Sequence, residues 1–141
     1  MIRSGKNTDI ERMTKIWLEA SIKAHGFMPP DYWTSKANDM RNLYLPLSEN
    51  YVYDDGGELL GFISIHNGTI AAIFVLPSRQ GEGIGSKLIE FIKTKHKDLS
   101  LTVYKSNTAS IAFYKKHGFV ISEEQVDEHT GHPEIIMKLN A

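Results

Sequence analysis

A largely apolar run from Thr69 to Leu76 meets Pro77. Three glycines then follow at alternate positions, Gly81, Gly83 and Gly85. No other segment limits the fold as much. An apolar run without polar alternation belongs in the middle of a sheet, covered on both faces. The stretch after the glycines repeats as a helix, with Ile84, Leu88, Phe91 and Ile92 on one face and Lys93, Lys95 and Lys97 toward the end that the helix dipole favours. The unit is strand, glycine loop, helix. Glycine leaves backbone N–H groups unobstructed and permits unusual dihedrals, and a helix start adds partial positive charge, so the loop suits a phosphate or pyrophosphate.

The flanking elements follow from pattern. A short strand is expected at the N-terminus. Thr8-x-x-Glu11 reads as a capping box, and Ile10, Met13, Trp17, Ala20 and Ala24 recur at helical spacing until Gly26 and Pro29-Pro30. A second helix starts near Asp31, carries Trp33, Ala37, Met40 and Tyr44 on one face, and ends at Pro46. Strands at Tyr51–Tyr53 and Leu59–Ile65 are joined by Asp54-Asp55-Gly56-Gly57, and Asn67-Gly68 turns the chain into Thr69–Leu76. Beyond the glycine loop, Leu99–Tyr104 reads as a strand. Asn107 caps a short helix to Lys116, and Gly118 stops it before strands Phe119–Val126 and Ile135–Leu139. The order is β-α-α-β-β-β-α-β-α-β-β, an α/β domain around a mixed sheet.

The length of 141 residues suits one domain, 1–141. Sixteen Lys+Arg against seventeen Asp+Glu give a net charge of −1, so bulk charge provides no attraction to nucleic acid or an anionic membrane. There is no cysteine, which excludes disulfides, thiolate zinc sites and cysteine nucleophiles. Without an apolar leader or a membrane-length run, a cytoplasmic protein is expected.

The glycine loop fits neither common nucleotide motif. Walker A needs Gly where Gln80 stands and Lys where Ser86 stands. A dinucleotide fold puts its loop after a first βαβ strand, with an acid ending the next strand, which Leu99–Tyr104 lacks. A tight turn without ligand is the bland alternative.

Gln80-Gly81-Glu82-Gly83-Ile84-Gly85 resembles the [RQ]-x-x-G-x-[GA] signature of the GNAT acetyltransferases. Asn107-Thr108-Ala109-Ser110-Ile111-Ala112-Phe113-Tyr114-Lys115-Lys116-His117-Gly118-Phe119 resembles the same family's N-x-x-A-x-x-[LF]-Y-x-x-x-G-F block, with Ser110 for the common Ala. The likeness covers the whole chain and looks most like small bacterial single-domain members. It implies a mixed, mostly antiparallel central sheet flanked by about four helices. It also implies an enzyme that moves the acetyl group of acetyl-CoA to an amine, of a small molecule or of a protein. A non-catalytic acyl-CoA sensor on the same scaffold is the rival reading, and a monomer or homodimer is expected.

By position, the resemblance implies that backbone N–H groups of Gln80, Gly81, Glu82, Gly83, Ile84, Gly85 and Ser86 hold a pyrophosphate. It implies that main chain at Phe74 and Val75, where the family splays two parallel strands apart, pairs with the pantetheine arm and polarises the thioester carbonyl, and that Asn107 touches that arm. Tyr114 takes the general-acid position, against the alternative of a half-buried core tyrosine. No acid lies on Thr69–Leu76 to serve as base, which leaves His25, His66 and Glu128 as candidates. Glu128, His129 and His132 border the acceptor pocket by resemblance, and His25, Phe27, Tyr32 and Trp33 are candidates for its opposite wall. His129-x-x-His132 with Glu128 and Glu134 reads as a solvated loop and not as a metal site. Met13, Trp17 and Met40 are expected in the core.

Overall fold

Seven strands form one sheet in the order β1-β2-β3-β4-β5-β7-β6 in the computed structural model of the chain, which describes residues 1–139. The strands are β1 (Ile2–Ser4), β2 (Glu49–Asp55), β3 (Glu58–His66), β4 (Thr69–Val75), β5 (Leu99–Tyr104), β6 (Val120–Val126) and β7 (Pro133–Leu139). Helices α1 (Ile10–Ala24) and α2 (Pro30–Asp39) precede β2. Helix α4 (Ile84–Lys93) joins β4 to β5, and α5 (Thr108–Lys116) joins β5 to β6. The element order expected from the sequence is the observed one.

The sheet divides the core. Met13, Ile16, Trp17, Trp33, Leu59 and Phe62 pack between one face and α1 and α2. Leu60, Ile63, Leu88, Ile89, Ile92 and Phe119 pack against the other face, under α4 and α5. Strand β3 supplies both clusters, which is why its seven residues from Leu59 to Ile65 are all buried. Fully burying one such side chain contributes about 1.5–3 kcal/mol. The Asn67-Gly68 turn has the positive φ values, 50° and 75°, that a two-residue hairpin loop requires.

Two boundaries depart from expectation. Residues Asn7–Asp9 form a 3₁₀ turn, and Asp9, not Glu11, reaches back to accept the Lys6 N–H at 2.8 Å. Asp9 is favoured because Arg3 pairs with both of its oxygens, at 2.8 and 3.1 Å, while Glu11 turns out to Arg41. Pro46 does not end the second helix either. A π turn, Met40–Tyr44, follows α2, and a last helical turn, α3 (Leu45–Leu47), contains the proline. In the π turn the Leu45 N–H bonds to the Met40 carbonyl, five residues back, which inserts one residue into the helical phase. Leu45 is therefore fully buried and Tyr44 is left 55% exposed, the reverse of an unbroken helix. Ala24, expected on the inner face of α1, is exposed because that helix ends there.

Candidate active site

Strands β4 and β5 run parallel, whereas every other neighbouring pair is antiparallel. They share one register pair, Thr69 with Ser100, and beyond it the two strands pair with β3 and β7 but not with each other. The cause is local. Ser64 faces Ala72 and Ile65 faces Ile70, so Ala71 is an extra residue, a bulge that bends β4 away from the ladder. The wedge is the floor of a cavity of about 1020 Å³, lined by Ile70–Val75 on one strand and Leu101–Tyr104 on the other. Main-chain groups that a closed sheet would consume face that space instead.

At one end the wall is the glycine loop. Gly81 and Gly83 hold φ of +83° and +84°, and no atom lies within 4 Å of where their Cβ atoms would be. Gly83 caps α4 in the left-handed region, and the first residues of α4, Ile84, Gly85 and Ser86, whose N–H groups have no acceptor within the helix, line the cavity. Open glycines at a helix start over a cavity of this volume fit a pyrophosphate-bearing ligand. The Gln80 Nε2 donates to the Val75 carbonyl at 3.2 Å, and its Oε1 accepts from Lys23 at 3.3 Å, which ties the loop to the end of β4 and to α1. Glu82 turns away from the cavity and pairs with Arg79 at 3.1 Å.

Helix α5 brings Tyr114 to the same cavity. The Asn107 Oδ1 accepts the Ser110 N–H at 3.2 Å and so starts the helix, and Asn107 itself lines the cavity. Tyr114 packs edge-on against Phe113 and Phe119, which fixes its ring. Burial raises its pKa well above the usual tyrosine value, so the phenol stays protonated. Among the described residues, its hydroxyl has no hydrogen-bond partner.

The opposite end is aromatic. His25 stacks on Trp33 at 4.8 Å and meets Tyr104 and Phe27 edge-on at 5.3 and 5.8 Å. Phe27 also meets Tyr104 and His132, at 5.2 and 4.8 Å. Tyr104 donates to Asp127 at 2.8 Å, and burial together with that carboxylate raises its pKa. Burial would raise the Asp127 pKa, but hydrogen bonds from Tyr104, the His129 N–H and Thr130 outweigh it and hold the carboxyl below its ordinary value. Among the described residues, three buried polar atoms on this side, Ser21 Oγ, His25 Nδ1 and Trp33 Nε1, have no partner, and all three residues line the cavity. Burial also lowers the His25 pKa, against a smaller upward pull from the Ser21 backbone.

The structure thus brings Phe74, Val75, Gln80, Gly81, Gly83, Ile84, Gly85, Ser86, Asn107, Tyr114, His25 and Trp33 to one cavity. Phe27 reaches that group through its ring contacts, and Tyr32 stands behind Trp33 at 4.9 Å. Glu128 and His129 are exposed on the β6–β7 loop away from the cavity wall, and His66 is exposed beside the Leu47 carbonyl. Sequence reasoning missed Tyr104, Asp127 and Ser21. No local signal joins Tyr104 to Asp127, which meet only because β7 lies between β5 and β6. It also missed Gly61, where a Cβ would come 2.9 Å from the Phe74 carbonyl oxygen, so β3 could not carry a side chain beside the wedge.

A half-open parallel pair beside a glycine loop is what the resemblance to the GNAT acetyltransferases implies, and similarity to known proteins agrees. The family model described as Acetyltransferase (GNAT) domain matches residues 46–121. Over 97% of this chain, the sequence is 35% identical to the peptidyl-lysine N-acetyltransferase YiaC of Escherichia coli, covering 94% of that protein. The chain belongs to the GNAT family of acetyltransferases, and acetyl-CoA is its acetyl donor. In structure it is similar to apo-form YjaB from Escherichia coli, with a TM-score of 0.86 at 25% identity, covering 100% of this chain and 98% of that one. The PaiA N-acetyltransferase of Thermoplasma acidophilum, solved with coenzyme A, shares the fold with a TM-score of 0.81 at 19% identity, covering 100% and 98% of the two chains.

Proposed function

We propose that the chain acetylates the side-chain amine of lysine in proteins or peptides, with Tyr114 as general acid and His25 as proton acceptor. The observation that carries this reading is one cavity whose wall includes the glycine loop, the unpaired Tyr114 phenol and the rings of His25, Trp33 and Tyr104. Bound acetyl-CoA supplies an activated acetyl group whose transfer releases a thiolate. The N–H groups from Gln80 to Ser86 hold its pyrophosphate, and open main chain at Phe74 and Val75 orients its arm and polarises the carbonyl. Tyr114 gives its proton to the departing sulfur.

The acceptor class rests on two supports. Named relatives such as YiaC act on peptidyl-lysine. The aromatic end, with the ionised Asp127 behind Tyr104, suits an alkylammonium by cation–π attraction and charge. A lysine amine has a pKa near ~10.4 and must lose a proton before it attacks. His25 lines the cavity and is kept unprotonated by burial, so it can take a proton as the amine attacks, when the forming N–C bond makes that proton acidic. His66 and Glu128 lie off the cavity and are set aside. The test is a peptide with one internal lysine and a blocked N-terminus, incubated with acetyl-CoA and read by mass spectrometry. One acetyl group on the lysine is expected. No transfer to it, with transfer to a free N-terminus instead, contradicts the acceptor assignment, and binding without any transfer supports a sensor.

A further inference from the structure

The wall of the glycine loop contains a second polar chain that the acetyl-transfer chemistry does not use. His117, at the end of α5, is 8% exposed. Its Nδ1 lies 2.6 Å from Glu90 Oε2, and its Nε2 lies 3.1 Å from Ser86 Oγ. Ser86 and Glu90 are four residues apart on α4 and so share one face of that helix. Lys93 of the same helix donates to Glu90 at 3.3 Å and to the His117 carbonyl at 3.0 Å, and the Phe113 ring covers the imidazole at 4.8 Å. Among the described residues, these are the charged and aromatic groups in contact with it.

The protons in this chain are determined by what each partner can accept. Hydrogen bonding to His117 heads the causes that lower the Glu90 pKa, so Glu90 is an ionised acceptor and Nδ1 must carry a hydrogen. In the neutral imidazole Nε2 is then bare, and it can only accept the Ser86 O–H. Ser86, on the cavity wall, is left with lone pairs for the ligand, and a phosphate oxygen gains nothing from them. When His117 is protonated, Nε2–H donates to Ser86 Oγ, and the serine hydrogen is released to donate to the anion.

We propose that His117 sets the direction of the Ser86 hydroxyl and thereby couples pyrophosphate binding at the glycine loop to the uptake of a proton. This rests on that loop being the pyrophosphate site. His117 is a positioning residue here and touches no reacting atom. By linkage, a proton that favours the anion is itself favoured by the anion, so coenzyme A binds more tightly at lower pH.

The experiment is titration calorimetry of the whole protein with coenzyme A and with S-acetylpantetheine, which has no phosphate. Each is run near pH 6 and pH 7.5 and in two buffers of different ionisation heat. For wild type, coenzyme A should bind about fivefold tighter at the lower pH with net proton uptake, and S-acetylpantetheine should not. His117→Gln, which cannot titrate, should bind coenzyme A with much less pH dependence and uptake. Ser86→Ala, which leaves the imidazole in place, should also lose most of the uptake, and it decides the matter alone if His117→Gln does not fold. Equal uptake in wild type and both variants would overturn the proposal while leaving the loop as a pyrophosphate site. Coenzyme A binding no tighter than S-acetylpantetheine would overturn the loop assignment, and the proposal with it.

Discussion

At the scale of single residues, the aromatic end of the cavity holds buried polar groups without a partner among the described residues. An unpartnered buried polar atom costs about 1–3 kcal/mol, and Ser21, His25 and Trp33 each keep one beside the cavity. Such atoms are tolerated where a ligand completes them. His25 yields a prediction that needs no ligand. Burial holds its folded-state pKa below the ordinary 6.5, so below that pH the unfolded chain takes up a proton that the folded chain resists. Stability from this site is present above the ordinary value and is lost as pH falls from it toward the folded value. Denaturant titrations of wild type and His25→Gln between pH 7 and 5 should show a shallower decline for the variant. Parallel declines would mean that the imidazole is not buried as described. Tyr114 was legible in the sequence because a family block fixes its position. Tyr104 and Asp127 were not, because nothing within four residues of either announces the other.

At the scale of elements, the glycine loop separates two residues that look equivalent in the sequence. Gly83 has φ +84°, where a β-branched side chain is strained by about 1–2 kcal/mol or more, and its Cβ direction opens on free space. Gly85 lies inside α4, has no left-handed φ, and a Cβ there would meet Phe113 at an ordinary 3.5 Å. Gly83→Val should therefore lower the melting temperature modestly and abolish coenzyme A binding, with an unchanged far-ultraviolet spectrum. Gly85→Ala should keep the fold intact. Retained affinity in Gly83→Val, measured by calorimetry, would mean that the loop is only a turn. Strand and helix existence was readable from periodicity. The bulge at Ala71 and the π turn at Met40–Tyr44 were not, because each depends on which neighbouring strand or core cluster claims the next side chain. The bulge is the more consequential omission, since it opens the wedge.

At the scale of the whole molecule, the chain order was legible but the spatial order was not. Placing β7 between β5 and β6 carries the β6–β7 loop over the end of β5, which joins His132 and Asp127 to Tyr104 and Phe27. The two helical layers could be anticipated from apolar faces, while the opening between the parallel strands could be anticipated only from the family resemblance, since no residue pattern announces it. A ligand that occupies this cavity in the folded state stabilises it by mass action. At a hundred times its Kd the gain is about 2.7 kcal/mol, so acetyl-CoA should raise the melting temperature by several degrees. NAD and ATP should do less, and an equal or larger shift with NAD would contradict the cosubstrate fit.

The proposed chemistry makes Tyr114 the general acid of acetyl transfer in this cavity. Its most direct test is the ratio of kcat for Tyr114→Phe to that of wild type, measured on one lysine peptide across pH 6.5 to 9 with the Kd for acetyl-CoA determined alongside. Loss of the phenol proton should lower kcat by about 10²–10⁴-fold and leave Kd little changed, because the ring and its packing remain. A variant that turns over at the wild-type rate throughout that range would show that Tyr114 is not the acid.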